Sequence, residues 1–264
     1  MGVQSPTEIK ASGGWQRCAD EDVALMCDAH LAGNNAEALL NFFITGLIIA
    51  MANGIPMRLG TVDNDGYNAF SIRKNSASMR AFWVQLKANE QIAKGVRIKD
   101  MPAEWFDIPG DADMKNSMVA VIGIMACSRL MDEERFEEAD KLMEHFLNIE
   151  SGIVGLHRHL LICDRTYIEL IGENRSELID RMFDKEQKKF MKTMKTYPSV
   201  LRTEYAYALI VENNMEKADK LLKMFEKCAL KYPYPNEITA ERELIGKCRE
   251  IVLTKKLKKI EKRC

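Results

Sequence analysis

The sequence carries no surplus of charge of either sign. Its 38 Lys and Arg stand against 39 Asp and Glu, so no nucleic-acid partner is expected and any electrostatic recognition must be local. Glycine and proline are scarce, at 15 and 7 of 264 residues, while methionine is plentiful at 16. Few helix breakers and many flexible, helix-tolerant apolar side chains predict an all-α protein. The cysteines at 18, 27, 127, 163, 228, 248 and 264 are scattered without a CxxC pair, which points to reduced, structural thiols. There is no GxxxxGK[ST] phosphate loop, no GxGxxG after a plausible strand and no GxSxG elbow, so the local signatures of nucleotide binding and of serine hydrolysis are missing.

Residues 1–18 hold no apolar run ahead of a small-residue cleavage site, so no cleavable signal peptide is expected there. Gly, Ser, Pro and polar side chains fill this stretch. That is the composition of a loose segment or of the leftover end of something longer, and residues 1–37 read as an N-terminal polar segment.

A long uncharged run follows. Residues 38–57 (ALLNFFITGLIIAMANGIPM) are twenty without a charge, and about 20 residues of helix span a hydrocarbon core of about 30 Å. Asn41, Thr45, Asn53, Gly54 and Pro56 dilute the run, and a buried core helix is the alternative. Arg58, Arg73 and Lys74 follow it, whereas the twenty residues before it hold no Lys or Arg. By the positive-inside rule the C-terminal side then lies in the cytoplasm. Pro56 and its restriction of Ile55 end the helix. In residues 60–66 (GTVDNDG) Asn and Asp side chains that can bond nearby amides, with Gly to supply positive φ, mark a turn, with Asp65 expected to cap a helix starting near Tyr67.

The order of these features resembles the C-terminal half of the site-2 protease family of intramembrane zinc metalloproteases. The resemblance rests on the apolar helix, Asn53-Gly54-Ile55-Pro56, and Asn64-Asp65-Gly66 opening a helix. It extends to Phe82-Trp83-Val84-Gln85-Leu86-Lys87 and to Gly95-Val96-Arg97-Ile98-Lys99-Asp100-Met101-Pro102, in all about a fifth of the chain. It implies that Asp65 is the third protein ligand to zinc and that Asn53 lies near substrate backbone. A carboxylate with two His ligands leaves a coordination position for a water whose pKa falls towards about 7. The departure is that H-E-x-x-H occurs nowhere in the chain. His30, His145, His157 and His159 cannot replace it; the last two, two apart, point to different faces of a helix. Zinc is therefore expected only if an H-E-x-x-H segment is supplied elsewhere. The chain is either a piece of a longer protease or a degenerate relative that kept the scaffold, and neither predicts proteolysis by this chain alone.

Residues 107–116, with Pro109 and Gly110, read as a linker into a second region, 117–264. Helical periodicity there predicts six helices over 118–130, 133–147, 153–171, 176–196, 199–211 and 215–232. Phe136-Glu-Glu-Ala-Asp-Lys-Leu-Met143 matches Met215-Glu-Lys-Ala-Asp-Lys-Leu-Leu222, and Phe146 matches Phe225 in the same register, an offset of 79 residues. Two units of about 34 to 40 residues would produce it, which resembles tetratricopeptide repeats. Stacked hairpins of that kind leave a concave groove for a protein or peptide partner, with Tyr205 and Tyr207 as candidate groove residues. Phe82, Trp83, Leu86 and Trp105 are expected to be packing residues. The basic tail 255–263 is expected to be a solvated helix end or a contact to anionic lipid. The expectation is a membrane protein with a cytoplasmic tetratricopeptide-like domain; the rival is a soluble, cytoplasmic helical-repeat scaffold without a catalytic role.

Overall fold

The computed structural model describes residues 35–57 and 64–261, and all regular structure among them is helical. The chain divides into two compact units, Met1–Ile55 and Pro56–Cys264. The first thirty-four residues, with His30, Cys18 and Cys27, lie outside the described part, as do Arg58, most of the 60–66 turn and Cys264.

In the first unit, helix α1 (Asn35–Gly54) has 20 residues, a length of about 30 Å at 1.5 Å per residue. Its stretch Glu37–Gly54 has a mean hydropathy of 1.4 and is 0% buried, so it is long and apolar enough to cross a membrane. Leu39 and Phe43 are each 69% exposed and Ile48 61%. The helix stops at Gly54, ahead of Ile55 and Pro56, where the sequence predicts it to stop.

The second unit opens with α2 (Asp65–Lys74) and α3 (Ser76–Ala93). Asn64, not Asp65, caps α2: its Oδ1 accepts from Tyr67 N at 3.0 Å and from Met57 N at 2.9 Å. Asn and Asp are near-equal caps, and the helix simply starts one residue earlier than its sequence implies. Asn75 repeats the device for α3 by accepting from Ala77 N at 2.8 Å. The inward face of α3 is Ser78, Ala81, Val84 and Ala88, packed with Met118, Val119 and Ile122 in one cluster and with Met101, Phe106 and Ala126 in the next. The expectation that Phe82, Trp83 and Leu86 are packing residues is corrected: they are 39%, 49% and 54% exposed. Ser78, Ala81, Val84 and Ala88 face inward and the large side chains lie on the opposite side of the helix. Trp83 does meet Trp105, edge to face at 5.8 Å.

Residues 107–116 are no loose linker, since Met114 is fully buried and Gly152 N donates to its carbonyl at 2.7 Å. A Cβ on Gly152 would come within 2.5 Å of Ser117 N, so only glycine fits this crossing. From there α4 (Ser117–Asp132), α5 (Phe136–Asn148), α6 (Gly155–Ile171), α7 (Ser176–Met182), α8 (Lys185–Thr193), α9 (Pro198–Ile210) and α10 (Met215–Ala229) pack successively around one core. The positions matched by the internal repeat are equivalent in burial: Ala139 and Ala218 are 0% and 1% exposed, Phe146 and Phe225 0% and 1%. The expected helix 176–196 is broken in two, because Asp184 accepts from Gln187 N at 2.7 Å and starts α8 afresh.

A further helix, α11 (Pro235–Glu261), lies beyond those expected and is 27 residues long. Ile238, Leu244, Ile245 and Cys248 bury one stripe of it in the core. Tyr167 Oη donates to Leu244 O at 2.8 Å, and Asn236 Nδ2 donates to Val96 O at 2.7 Å. The side chains of the basic run from 255 onward lie outside the described part.

Candidate functional site

Helices α3, α4, α6, α9 and α11 converge on a cavity of about 370 Å³. Each contributes polar groups: Gln85 and Asn89 from α3, Ser128 and Asp132 from α4, His157 and Asp164 from α6, Ser199 and Arg202 from α9, Asn236, Glu237 and Glu241 from α11. Such groups come together because each helix has given its larger apolar stripe to the core, leaving a mixed face towards the opening.

Arg202 organises the floor. It is 1% exposed, and its guanidinium sits 4.6 Å from the ring centroid of Tyr167. Its Nη2 donates to Asp164 and its Nη1 to Glu241 Oε1 at 3.2 Å. Burial works against its charge, but Glu241 and Asp164 outweigh it and hold the pKa above the ordinary arginine value. A buried guanidinium is tolerable only with such partners. Burial pushes the Glu241 carboxyl up to about 7; Arg202 opposes the shift, while Asp164 and Glu237 add to it. Burial raises Glu237 as well, against the hydroxyl of Tyr232, which donates to it at 3.0 Å.

A second knot closes one side. Arg97 Nε donates to Asp132 Oδ1 at 3.1 Å, and its Nη atoms reach Glu243 at 2.6 and 2.7 Å. This ties the segment after α3 to both α4 and α11. Tyr197 and Tyr232, edge to face at 6.5 Å, line the cavity near Glu237. Three buried atoms of the wall have no hydrogen-bond partner: Arg202 Nε, Asn236 Oδ1 and Glu241 Oε2. An unsatisfied buried polar group costs about 1–3 kcal/mol, so a polar occupant that satisfies them would be favoured.

The arrangement is suited to binding. Burial lowers the pKa of His157, which keeps the imidazole neutral. Burial raises the thiols of Cys127 and Cys163 far above the usual thiol range, so neither is the thiolate that nucleophilic catalysis needs. Among the described residues, no group of three or more His, Cys, Asp and Glu is placed to hold a metal ion.

The residues singled out from the sequence lie elsewhere. Asp65 is exposed in the first turn of α2, and Asn53 is exposed on α1 in the other unit. Tyr205 is 3% exposed, in the core rather than in a groove, and its hydroxyl accepts from Arg249 Nε at 3.3 Å. Tyr207 is half-buried and stacks on Phe183 at 4.7 Å. Neither lines the cavity. His159 stacks on Phe190 at 4.7 Å and pairs with Gln187 at 2.7 Å, away from His145, whose partner is Asp111. The residue missed was Arg202, whose signal was a charge, with Glu204 the only other one, within the largely apolar stretch PSVLRTEYAYALI. Compared with protein-family models, curated proteins and solved structures, the chain finds no match in any of the three.

Proposed function

We propose that this chain is a membrane-attached helical-repeat protein that holds a segment of a partner polypeptide in the cavity between α3, α4, α6, α9 and α11. The observation that carries the proposal is the cavity itself: about 370 Å³, walled by five helices, with polar atoms left unsatisfied. A space of this size and mixed character suits a few side chains of a bound peptide. The pairs α4 with α5 and α9 with α10 serve in this reading as tetratricopeptide-like hairpins, and the shared register of Ala139 and Ala218 supports it.

The membrane setting is supported by two separate features. Helix α1 presents apolar side chains on every side. Helix α3 exposes Met79, Phe82, Trp83 and Leu86, a stripe at helical spacing opposite its buried face. An aromatic stripe of this kind suits the interface of a bilayer. Arg58, Arg73 and Lys74 support placing the second unit in the cytoplasm.

Photo-crosslinking tests the binding proposal directly. A benzophenone residue at Ser128, which is exposed and lines the cavity, should give a discrete polypeptide adduct in native membranes. The same residue at Lys220, on α10 and outside the cavity lining, should give none. Equal labelling at both positions, or no adduct at 128, would refute it.

A second reading keeps the resemblance to site-2 proteases. Asn64 performs the capping of α2, and Asp65 is exposed beside it, so its carboxylate is available in this reading as a zinc ligand completed by His residues supplied elsewhere. Zinc there would act on a water, and Asp65 would only hold the metal. The measurement is zinc content after co-expression with an H-E-x-x-H segment, with Asp65→Ala expected to abolish any gain.

A further inference from the structure

We infer that the cavity binds an organic monocation, an ammonium or guanidinium group, between Glu237 and Glu241 and against the rings of Tyr197 and Tyr232. Where the cation belongs to a Lys or Arg side chain of a bound segment, the inference rests on the polypeptide-binding reading above.

The charge inventory of the wall is unequal. Carboxylates of Asp132, Asp164, Glu237 and Glu241 face the cavity against the guanidiniums of Arg97 and Arg202. Asp132 is taken by Arg97, and Asp164 by Arg202. Glu241 only shares Arg202, at 3.1 Å, and Glu237 has the phenol of Tyr232 in place of a cation. His157 adds no positive charge while burial keeps it neutral. Glu237, which has no cation, and Glu241, which only shares one, lie four residues apart on α11, hence on the same face of the helix, and a cation between them would favour their ionised forms against the burial that raises both.

Two independent features of the same region match a cation. Asn236 Oδ1 is a buried acceptor without a hydrogen-bond partner, and Glu241 Oε2 has only the ion-pair approach of Arg202 Nη1 at 3.1 Å, outside hydrogen-bond geometry. Ammonium and guanidinium groups carry donors and no acceptors. Tyr197 and Tyr232 present an aromatic corner in the same cavity, and the faces of such rings attract a cation electrostatically. An anion would meet these carboxyls, and a neutral group would leave both favouring their protonated forms. Arg202 is engaged by Asp164 and Glu241 and held over Tyr167, and the cation proposed is additional to it.

The test uses the full chain in detergent micelles and two pairs of probes that differ only in charge. The first pair is n-butylguanidine and its neutral isostere n-butylurea, followed by ligand-observed NMR. The second is a pool of random heptapeptides with Arg fixed at the centre and the same pool with citrulline there. Butylguanidine is expected to bind saturably and butylurea at least about tenfold more weakly, a difference of about 1.4 kcal/mol. Glu237→Gln and Glu241→Gln, each checked for native helicity, should each weaken butylguanidine by about tenfold while leaving butylurea unchanged. Butylguanidine binding with preference for the Arg pool supports a side-chain cation. Butylguanidine binding with neither pool retained supports a free amine or guanidine as ligand and refutes the polypeptide reading. Both pools binding equally, with no binding of butylguanidine, leaves the polypeptide reading standing and overturns the cation inference. No binding of any probe overturns both.

Discussion

Arg202 shows why a single side chain governs this site. Its guanidinium bridges Asp164 on α6 and Glu241 on α11 while stacking over Tyr167, so replacing it leaves two carboxylates buried against each other. Arg202→Met is expected to destabilise the protein by about 3–5 kcal/mol, the cost of breaking a buried pair from one side. Chemical denaturation in micelles measures it, and a loss below about 1 kcal/mol would show that the network is solvated. Glu241 titrates in the opposite sense to a surface carboxylate. Its folded pKa is raised from 4.5 to about 7, so the native state holds a proton that the unfolded chain has released. Its contribution is fully present below the unfolded value and is lost as pH rises through the folded one, on the order of 3 kcal/mol in all. The stability of wild type relative to Glu241→Gln should therefore fall between pH 5 and pH 8. A flat difference would mean that Arg202 already neutralises the carboxylate completely. None of this was legible in the sequence. Arg202 and Asp164 are visible as charges within apolar stretches, but their partner on α11 is 39 residues from Arg202 and 77 from Asp164.

At the scale of the element, the helices were legible and their faces less so. Periodicity located α4, α5, α6, α9 and α10 to within a few residues, because each has an apolar stripe and a polar break after it. The break between α7 and α8 had its signal in Asp184, an N-cap residue inside what reads as one helix, whose side chain accepts from Gln187 N. Helix α11 was hidden by its many charges, although Ile238, Leu244, Ile245 and Cys248 keep helical spacing. The spacing of Phe82, Trp83 and Leu86 defines a face of α3 but not which side it takes, and the side packed on α4 is the one with Ser78, Ala81, Val84 and Ala88. The cap of α2 offers a sharp comparison. Asn64→Ala should cost about 1 kcal/mol, and Asp65→Ala less than half of that, since only Asn64 accepts from Tyr67 N. Thermal melts of the two variants check it, and the reverse order would restore Asp65 as the cap.

For the molecule as a whole, the proposed function gives α1 the role of attachment and the second unit that of binding. Each was partly visible beforehand: the apolar run by its length, the core by its repeat. The cavity was not, since it depends on how five helices meet. Attachment by α1 predicts that the full chain stays with membranes through alkaline carbonate washing. A triple change of Phe82, Trp83 and Leu86 to Ser should weaken interfacial contact without unfolding α3, because those side chains are outside the core. Release of the wild type into the soluble fraction would instead favour a helical scaffold with its apolar helix covered by a partner. The most direct test of the central claim is the affinity of the random heptapeptide pool for wild type and for Ser128→Trp, which places an indole at the mouth of the cavity. Saturable binding to wild type that falls by at least about tenfold in the variant is the expected result; binding that Ser128→Trp leaves unchanged, or no binding to either, would contradict it.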